Sequence, residues 1–166
     1  SSALTGTLTN SGSISAVANG NDQARAYGVY VNTVSLVGNA LTNSGTISAT
    51  ASAATGSATA YGVYVGRLLG GTLTNSGSIS GTADNPGNGY SVYVDNICCT
   101  ASSGTINNLA GGVLSGNIFI GGTVAVNNAG TIAIPAGASG FIGGNYTQQS
   151  GGVLRIGATS TSNYGS

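Results

Sequence analysis

The stretch Leu41-Thr-Asn-Ser-Gly-Thr-Ile47 decides the fold, because it occurs three times along the chain with almost no change. The other copies are Leu8-Thr-Asn-Ser-Gly-Ser-Ile14 and Leu73-Thr-Asn-Ser-Gly-Ser-Ile79, and successive copies lie 33 and 32 residues apart. A fixed period of this size indicates one supersecondary unit that is copied and stacked, with each copy burying its apolar face against the next.

A second block recurs in the same phase, at residues 27–31, 61–65 and 90–94. In the first unit, one short strand ends at the turn Asn10-Ser-Gly12, a second follows it, and the block 27–31 forms a third. Three strands in one period predict a three-sided coil. Alternation within the third strand places Tyr27 on the inner face with Val29 and Val31, and Tyr30 on the outer face.

Equivalent residues of stacked coils are expected to form columns. The first sequence block predicts a leucine column and an isoleucine column in the interior, and the tyrosine block predicts a valine column. These core columns are Leu8, Leu41 and Leu73; Ile14, Ile47, Ile79, Ile106 and Ile132; and Val29, Val63 and Val92. Stacked corner turns are predicted at Asn10 and Gly12, Asn43 and Gly45, and Asn75 and Gly77, where the asparagines bond along the axis and glycine permits a tight corner.

The repeat shortens in the second half of the chain. We predict one domain over residues 1–166, with long regular repeats in 1–97 and shorter, degenerate coils in 98–166. The whole chain then forms an all-β parallel solenoid, or β-helix, of about five three-sided coils. Helices are disfavoured by the abundance of Gly, Ser, Thr and Asn. A β-sandwich or propeller is the alternative fold, although a propeller blade needs four strands and the unit supplies about three.

The composition excludes several classes of function. Only six residues carry charge and the formal net charge is zero, so the chain lacks the basic footprint of nucleic-acid binding. No run of 18 apolar residues indicates a membrane-spanning segment. Histidine is absent, which removes the Ser-His-Asp triad and the Cys-His dyad. We therefore predict a protein that is not an enzyme, with no catalytic residue, no cofactor and no metal ligand.

Two tyrosine columns are open to two interpretations. Tyr30, Tyr64 and Tyr93 are predicted to form an outer ladder, because Val29 and Val31 occupy the interior. The ladder either binds sugars or partner surfaces, or it only stabilises the stack through aromatic contacts.

Cys98 and Cys99 are adjacent, which is the spacing of neither a disulfide framework nor a metal site. Three arrangements stay open for them. One side chain points inward and the other outward, or the two form a strained disulfide, or one of them bonds to another chain.

The repeats and the segment Gly144-Asn-Tyr-Thr-Gln-Gln-Ser-Gly-Gly-Val-Leu-Arg-Ile156 resemble the passenger region of bacterial autotransporters, a class of type V secreted proteins. The resemblance implies a right-handed β-helix and export, with a location outside the cell or on the outer cell surface. It is specific for architecture and export route, and it does not identify an individual function.

Two functions follow as hypotheses. The first is a structural solenoid that polymerises head to tail into an extracellular or cell-surface filament, a homopolymer of this chain. Residues 1–6 and 159–166 carry no charge and no amphipathic segment, and uncapped solenoid ends favour such growth. The alternative is a monomeric adhesin that binds a host or neighbouring-cell surface. Neither requires nucleic acid or membrane insertion of this segment.

Overall fold

Each repeat folds as three strands separated by corners. The computed structural model describes residues 6–31, 40–95 and 102–158. In these residues all regular structure is β-strand, apart from one 3₁₀ turn at Pro86–Asn88 that Asn85 caps. No helix in the described part of the chain is long and apolar enough to cross a membrane.

Within the described ranges, the strands fall into five complete coils and two strands of a sixth. The first three coils comprise β1 Thr7–Asn10, β2 Ser13–Gly20 and β3 Gln23–Val31; β4 Ala40–Asn43, β5 Thr46–Ala53 and β6 Ser57–Val65; and β7 Leu69–Asn75, β8 Ser78–Ala83 and β9 Gly89–Val94. The later coils comprise β10 Ser103–Asn108, β11 Val113–Ser115 and β12 Asn117–Ile120; β13 Ala125–Asn128, β14 Thr131–Ile134 and β15 Gly140–Ile142; and β16 Tyr146–Gln148 with β17 Val153–Ile156.

Corresponding strands of successive coils pair in parallel and form three sheets. The first sheet has the order β1-β4-β7-β10-β13-β16, the second β2-β5-β8-β11-β14-β17, and the third β3-β6-β9-β12-β15. The three sheets enclose one apolar core that runs along the axis of the stack. The predicted all-β parallel solenoid with three-sided coils is therefore confirmed.

The leucine and valine columns lie in the core in the predicted register. Leu8 pairs with Leu41 and Leu41 with Leu73, while Val29, Val63 and Val92 align in the third sheet. Leu8 and Ile14 are only partly buried, because no described coil precedes theirs. From the second coil onward, the residues in these columns are almost completely buried.

Ile106 was predicted for the isoleucine column, and this assignment is wrong. Ile106 pairs with Leu73 on one side and Val126 on the other, so it lies in the leucine column of the first sheet. The isoleucine column passes instead from Ile79 through Leu114 to Ile132. The segment Ser103–Ile106 resembles the repeated turn in its last three residues, but Ser102 stands where the turn has Asn.

The long and short coils differ by an extension beside the main core. The later part of β2, β5 and β8 and the early part of β3, β6 and β9 pack together through small side chains. This second cluster consists of Ala24, Ala26, Ala49, Ala51, Ala58, Ala60 and Ala83. Alanine allows the two sheets to approach closely, so the long repeats form a thin flange and the short coils omit it.

Candidate assembly surfaces

A ladder of side-chain amides runs along the corner between the first and second sheets. Asn10 Nδ2 donates to Asn43 Oδ1 at 2.8 Å, and the same bond links Asn43 to Asn75. Asn108 and Asn128 extend the ladder with bonds of 2.9 and 2.8 Å. Successive ladder residues are 33, 32, 33 and 20 residues apart in the sequence. The last interval is shorter because the later coils contain fewer residues.

The ladder amides also satisfy the backbone of the corners. Asn43 Nδ2 donates to the carbonyls of Gly45 and Ser78, each at 3.1 Å. Asn43 and Asn75 are completely buried, and no buried side-chain nitrogen or oxygen among the described residues lacks a hydrogen-bond partner. The ladder thus replaces the water that these corner carbonyls would otherwise bind.

The ladder has a direction. Every amide nitrogen donates toward the C-terminal end, and the last bond runs from Asn128 Nδ2 to Gln148 Oε1 at 3.2 Å. The series therefore begins with an amide oxygen at Asn10 and ends with an amide nitrogen at Gln148. The repeats predicted Asn10, Asn43 and Asn75, but Asn108 and Gln148 were missed. Asn108 shared one signal with them, an apolar residue two positions earlier.

The corner glycines lie where adjacent coils come closest. A Cβ atom on Gly45 would overlap the carbonyl oxygen of Gly12, and one on Gly77 would overlap that of Gly45. Gly12 occupies the same position in the first coil, and a Cβ atom there would meet no atom of residues 6–31, 40–95 or 102–158 within 4 Å. Glycine is thus required at this corner only where another coil lies on its N-terminal side.

Two columns of aromatic rings cover part of the outer face of the third sheet, which we call the aromatic stripe. One column contains Tyr27, Tyr61 and Tyr90, with ring centroids 5.0 and 5.2 Å apart. The other continues through the short coils and consists of Tyr30, Tyr64, Tyr93, Phe119 and Phe141. Phe119 and Phe141 were missed because they belong to coils without the tyrosine repeat.

The prediction that Tyr27 faces inward with Val29 is wrong. The Tyr27 ring contacts the Tyr30 ring edge to face, with centroids 4.7 Å apart, so the two side chains share the outer surface. The strand turns at Gly28, where a Cβ atom would meet the Ile47 side chain at 2.7 Å. Strict alternation fails at this bend, and both Ala26 and Val29 are buried.

Burial and neighbouring groups raise the pKa of three phenols of the stripe, those of Tyr61, Tyr64 and Tyr93. Burial, with the neighbouring tyrosines, raises the pKa of Tyr61 from 10.0 to about 12, and Arg25 partly opposes the shift. Burial also raises the pKa of Tyr64. The negative charge of Asp95 raises it further, and so does the hydrogen bond that the Tyr64 hydroxyl donates to Asp95 Oδ2 at 3.1 Å. The pKa of Tyr93 is raised by burial and by Asp95. The raised pKa values favour the neutral form of these three phenols.

The last described coil leaves the end of the core open and apolar among the residues that the structure describes. An open cavity of about 210 Å³ lies there, lined by Ile118, Ile132, Ile134, Gly140, Ile142, Tyr146, Leu154 and Ile156. Leu154 is 46% exposed and Ile156 is 71% exposed, although both lie in line with buried or half-buried residues of β14. We call this surface the C-terminal face.

The acidic side chains form no metal-ligating cluster in the part of the chain that the structure describes. Cys98 and Cys99 lie outside the described residues. Within residues 6–31, 40–95 and 102–158, no group of three or more His, Cys, Asp or Glu side chains could hold a metal ion. Asp84 Oδ2 instead accepts a hydrogen bond from the backbone N–H of Ala53 at 2.8 Å, which is a structural role in the loop.

Comparison with known proteins adds no further identification: no family model, no curated protein and no solved structure matches this chain.

Proposed function

We propose that this protein is a structural subunit that assembles head to tail into a filament. The C-terminal face carries the proposal, because it exposes the ends of the core columns as one open apolar surface. Covering apolar surface is favourable by about 25 cal/mol per Å². Another coil of the same solenoid has the shape and register to cover it.

The two ends of the molecule complement each other. Strands β1, β2 and β3 form one edge of the three sheets, and β16, β17 and β15 form the other. All strands are parallel, so β16 and β17 of one molecule can pair with β1 and β2 of the next as coils pair within a molecule, while β15 and the next copy's β3 lie two rungs apart in the third sheet. The amide ladder then continues from Gln148 Nε2 of one copy to Asn10 Oδ1 of the next.

This contact does not close on itself. It joins two different surfaces, and repetition of such a heterologous contact along one axis gives an open filament. The first coil is longer than the last, so the C-terminal face covers the main core of the next copy and leaves the alanine flange uncovered. With formal net charge zero, the junction relies on backbone pairing and apolar packing, and growth is insensitive to salt.

The autotransporter resemblance supports a place for this filament outside the cell or on its outer surface. In that setting a polymer of β-solenoids without a catalytic role serves as a structural appendage. The half-exposed aromatic stripe favours the second candidate, a monomeric adhesin that uses the stripe to bind a partner surface.

Sedimentation velocity and electron microscopy of the purified chain distinguish the two functions. We expect concentration-dependent polymers that appear as unbranched filaments at both low and high salt. Ile156→Lys places a charge on the C-terminal face and abolishes growth. Leu109→Lys is the matched control, because Leu109 is 42% exposed at the corner after β10, in the fourth coil and away from both ends, and its filaments grow normally.

A wild-type chain that stays monomeric at the highest concentrations contradicts the filament and favours the adhesin. Filaments of Ile156→Lys that grow like wild type would show that the C-terminal face is not the junction.

A further inference from the structure

We propose that the aromatic stripe is a second, lateral assembly surface, which pairs with the same stripe on a neighbouring filament. This inference rests on the proposed filament, because the filament supplies the repetition that the contact needs. Within one molecule the stripe already runs from Tyr30 in the first coil to Phe141 in the fifth.

The stripe presents ring edges rather than ring faces. Within each tyrosine column the planes of neighbouring rings are inclined by 7° to 22°, and the centroids are 5.0–5.4 Å apart. Between the columns the rings of one coil meet at 66° to 88°. The faces are therefore taken up by other rings of the stripe. A sugar or a flat ligand that stacks on an open aromatic face finds little of it here.

The stripe repeats with the coils. Every rung of the longer column contributes one ring, so the surface is a regular ridge pattern with the spacing of paired strands, about 4.8 Å. Only a partner with the same axial repeat can make an equivalent contact at every rung. A second copy of this solenoid has that repeat. Side chains of two identical sheets can interdigitate and exclude water from the interface between them.

Charge favours the same partner. Burial favours the neutral form of the Tyr61, Tyr64 and Tyr93 phenols, Asp95 accepts a hydrogen bond from Tyr64, and the chain as a whole has no net charge. A strongly acidic or basic partner would gain little attraction and would leave its own charges without partners. A neutral aromatic surface meets these conditions.

The area explains why the contact depends on the filament. Five rungs extend about 25 Å, and the stripe is at most two rings wide, so one molecule offers a few hundred Å². A stable interface needs about 800 Å² from each partner. Two single molecules therefore do not pair through the stripe. Filaments do pair, because once one contact forms, each further subunit adds a contact at high effective concentration.

Electron microscopy of filament width tests the proposal through Phe119, which is half-buried in the middle of the stripe and away from both ends. We expect wild-type filaments to lie side by side in pairs or bundles. Phe119→Glu and Phe119→Lys each force a charge into the lateral contact, so both variants grow as single filaments. Val113→Glu and Val113→Lys are the matched controls, because Val113 is half-buried in the same coil on the second sheet. These controls still bundle.

The outcomes separate the two proposals. Bundling of the Phe119 variants, single wild-type filaments, or dispersal of the Val113 variants as well would each overturn the lateral contact and leave the end-to-end filament intact. If the wild-type chain forms no filament, the proposed function is wrong and the lateral contact falls with it.

Discussion

The amide ladder makes its buried asparagines critical for stability, because each one bonds to the next coil and to the corner backbone. Asn43→Asp removes the donors that serve Asn75 Oδ1 and two backbone carbonyls, and it leaves a carboxylate among oxygen atoms. We expect this substitution to lower the free energy of unfolding by at least about 3 kcal/mol at pH 7. Lowering the pH toward about 4 recovers part of the loss, because a protonated acid can donate one bond.

Urea unfolding of the variant measures this effect, and Asn127→Asp is its control. Asn127 also belongs to the first sheet and donates to Asn107 Oδ1 at 2.9 Å, but it is only partly buried. We expect it to cost less than about 1 kcal/mol, since a surface carboxylate remains solvated. Equal losses of unfolding free energy in the two variants would show that a ladder asparagine contributes no more to stability than a partly buried one.

Sequence reasoning succeeded for residues that sit inside the exact repeat. Asn43 and Gly45 were predicted at a corner, and the structure places them there with the neighbours that the repeat implied. It failed for Ile106, where letters of the motif recur without its geometry, and for Tyr27, where strict alternation was assumed across a bend that every copy of the block shares. Ser102 lacks the corner amide, and the bend at Gly28 interrupts alternation, so a local pattern could not reveal the position of either side chain.

At the scale of the elements, the aromatic stripe couples stability to alkaline pH. The pKa of Tyr61 is about 12 in the folded chain against an ordinary 10.0, and those of Tyr64 and Tyr93 are also raised. The folded state therefore favours the neutral phenol. Its contribution to stability is complete below about pH 10 and is lost as the pH rises through the folded pKa.

We expect the free energy of unfolding to be constant from about pH 8 to 9 and to fall between about pH 10 and 12. Denaturant titrations at fixed pH values measure this slope. Tyr61→Phe keeps the ring stack and removes one ionising group, so its slope is shallower than that of wild type. A free energy that stays level up to about pH 11.5 would contradict the burial of the stripe phenols.

The strands themselves were predictable in number and order, since turn residues separate three apolar segments in each long repeat. The short coils were harder to assign. Between β10 and β11, residues 109–112 replace the shorter Ser-Gly corner of the earlier coils, so the interval between equivalent core residues changes. The sequence period identifies equivalent strands while the corners between them keep the same length. When a corner changes length, the period no longer shows which residues of successive coils align.

At the scale of the whole molecule, the period predicted the solenoid but not its surfaces. Stacking follows from repetition alone, because each coil must cover the next. The open C-terminal face and the continuous stripe depend on residues outside the repeat, such as Ile156 and Phe141, whose exposure becomes visible only with the fold. These two surfaces are the basis for the proposed assembly along the axis and between filaments.

Gly12 offers the most direct test of head-to-tail assembly. Among the described residues of one molecule, a methyl group at Gly12 meets no atom within 4 Å, so we expect Gly12→Ala to leave the thermal unfolding midpoint of the monomer unchanged. In the filament another coil lies on the N-terminal side of Gly12, and the methyl group would overlap backbone there as it would at Gly45.

The deciding measurement is the elongation rate of wild-type seeds supplied with Gly12→Ala monomers, compared with wild-type monomers at equal concentration. The account predicts that elongation stops after at most one added subunit per seed, although the variant melts like wild type. Elongation at the wild-type rate would contradict head-to-tail stacking through the first coil.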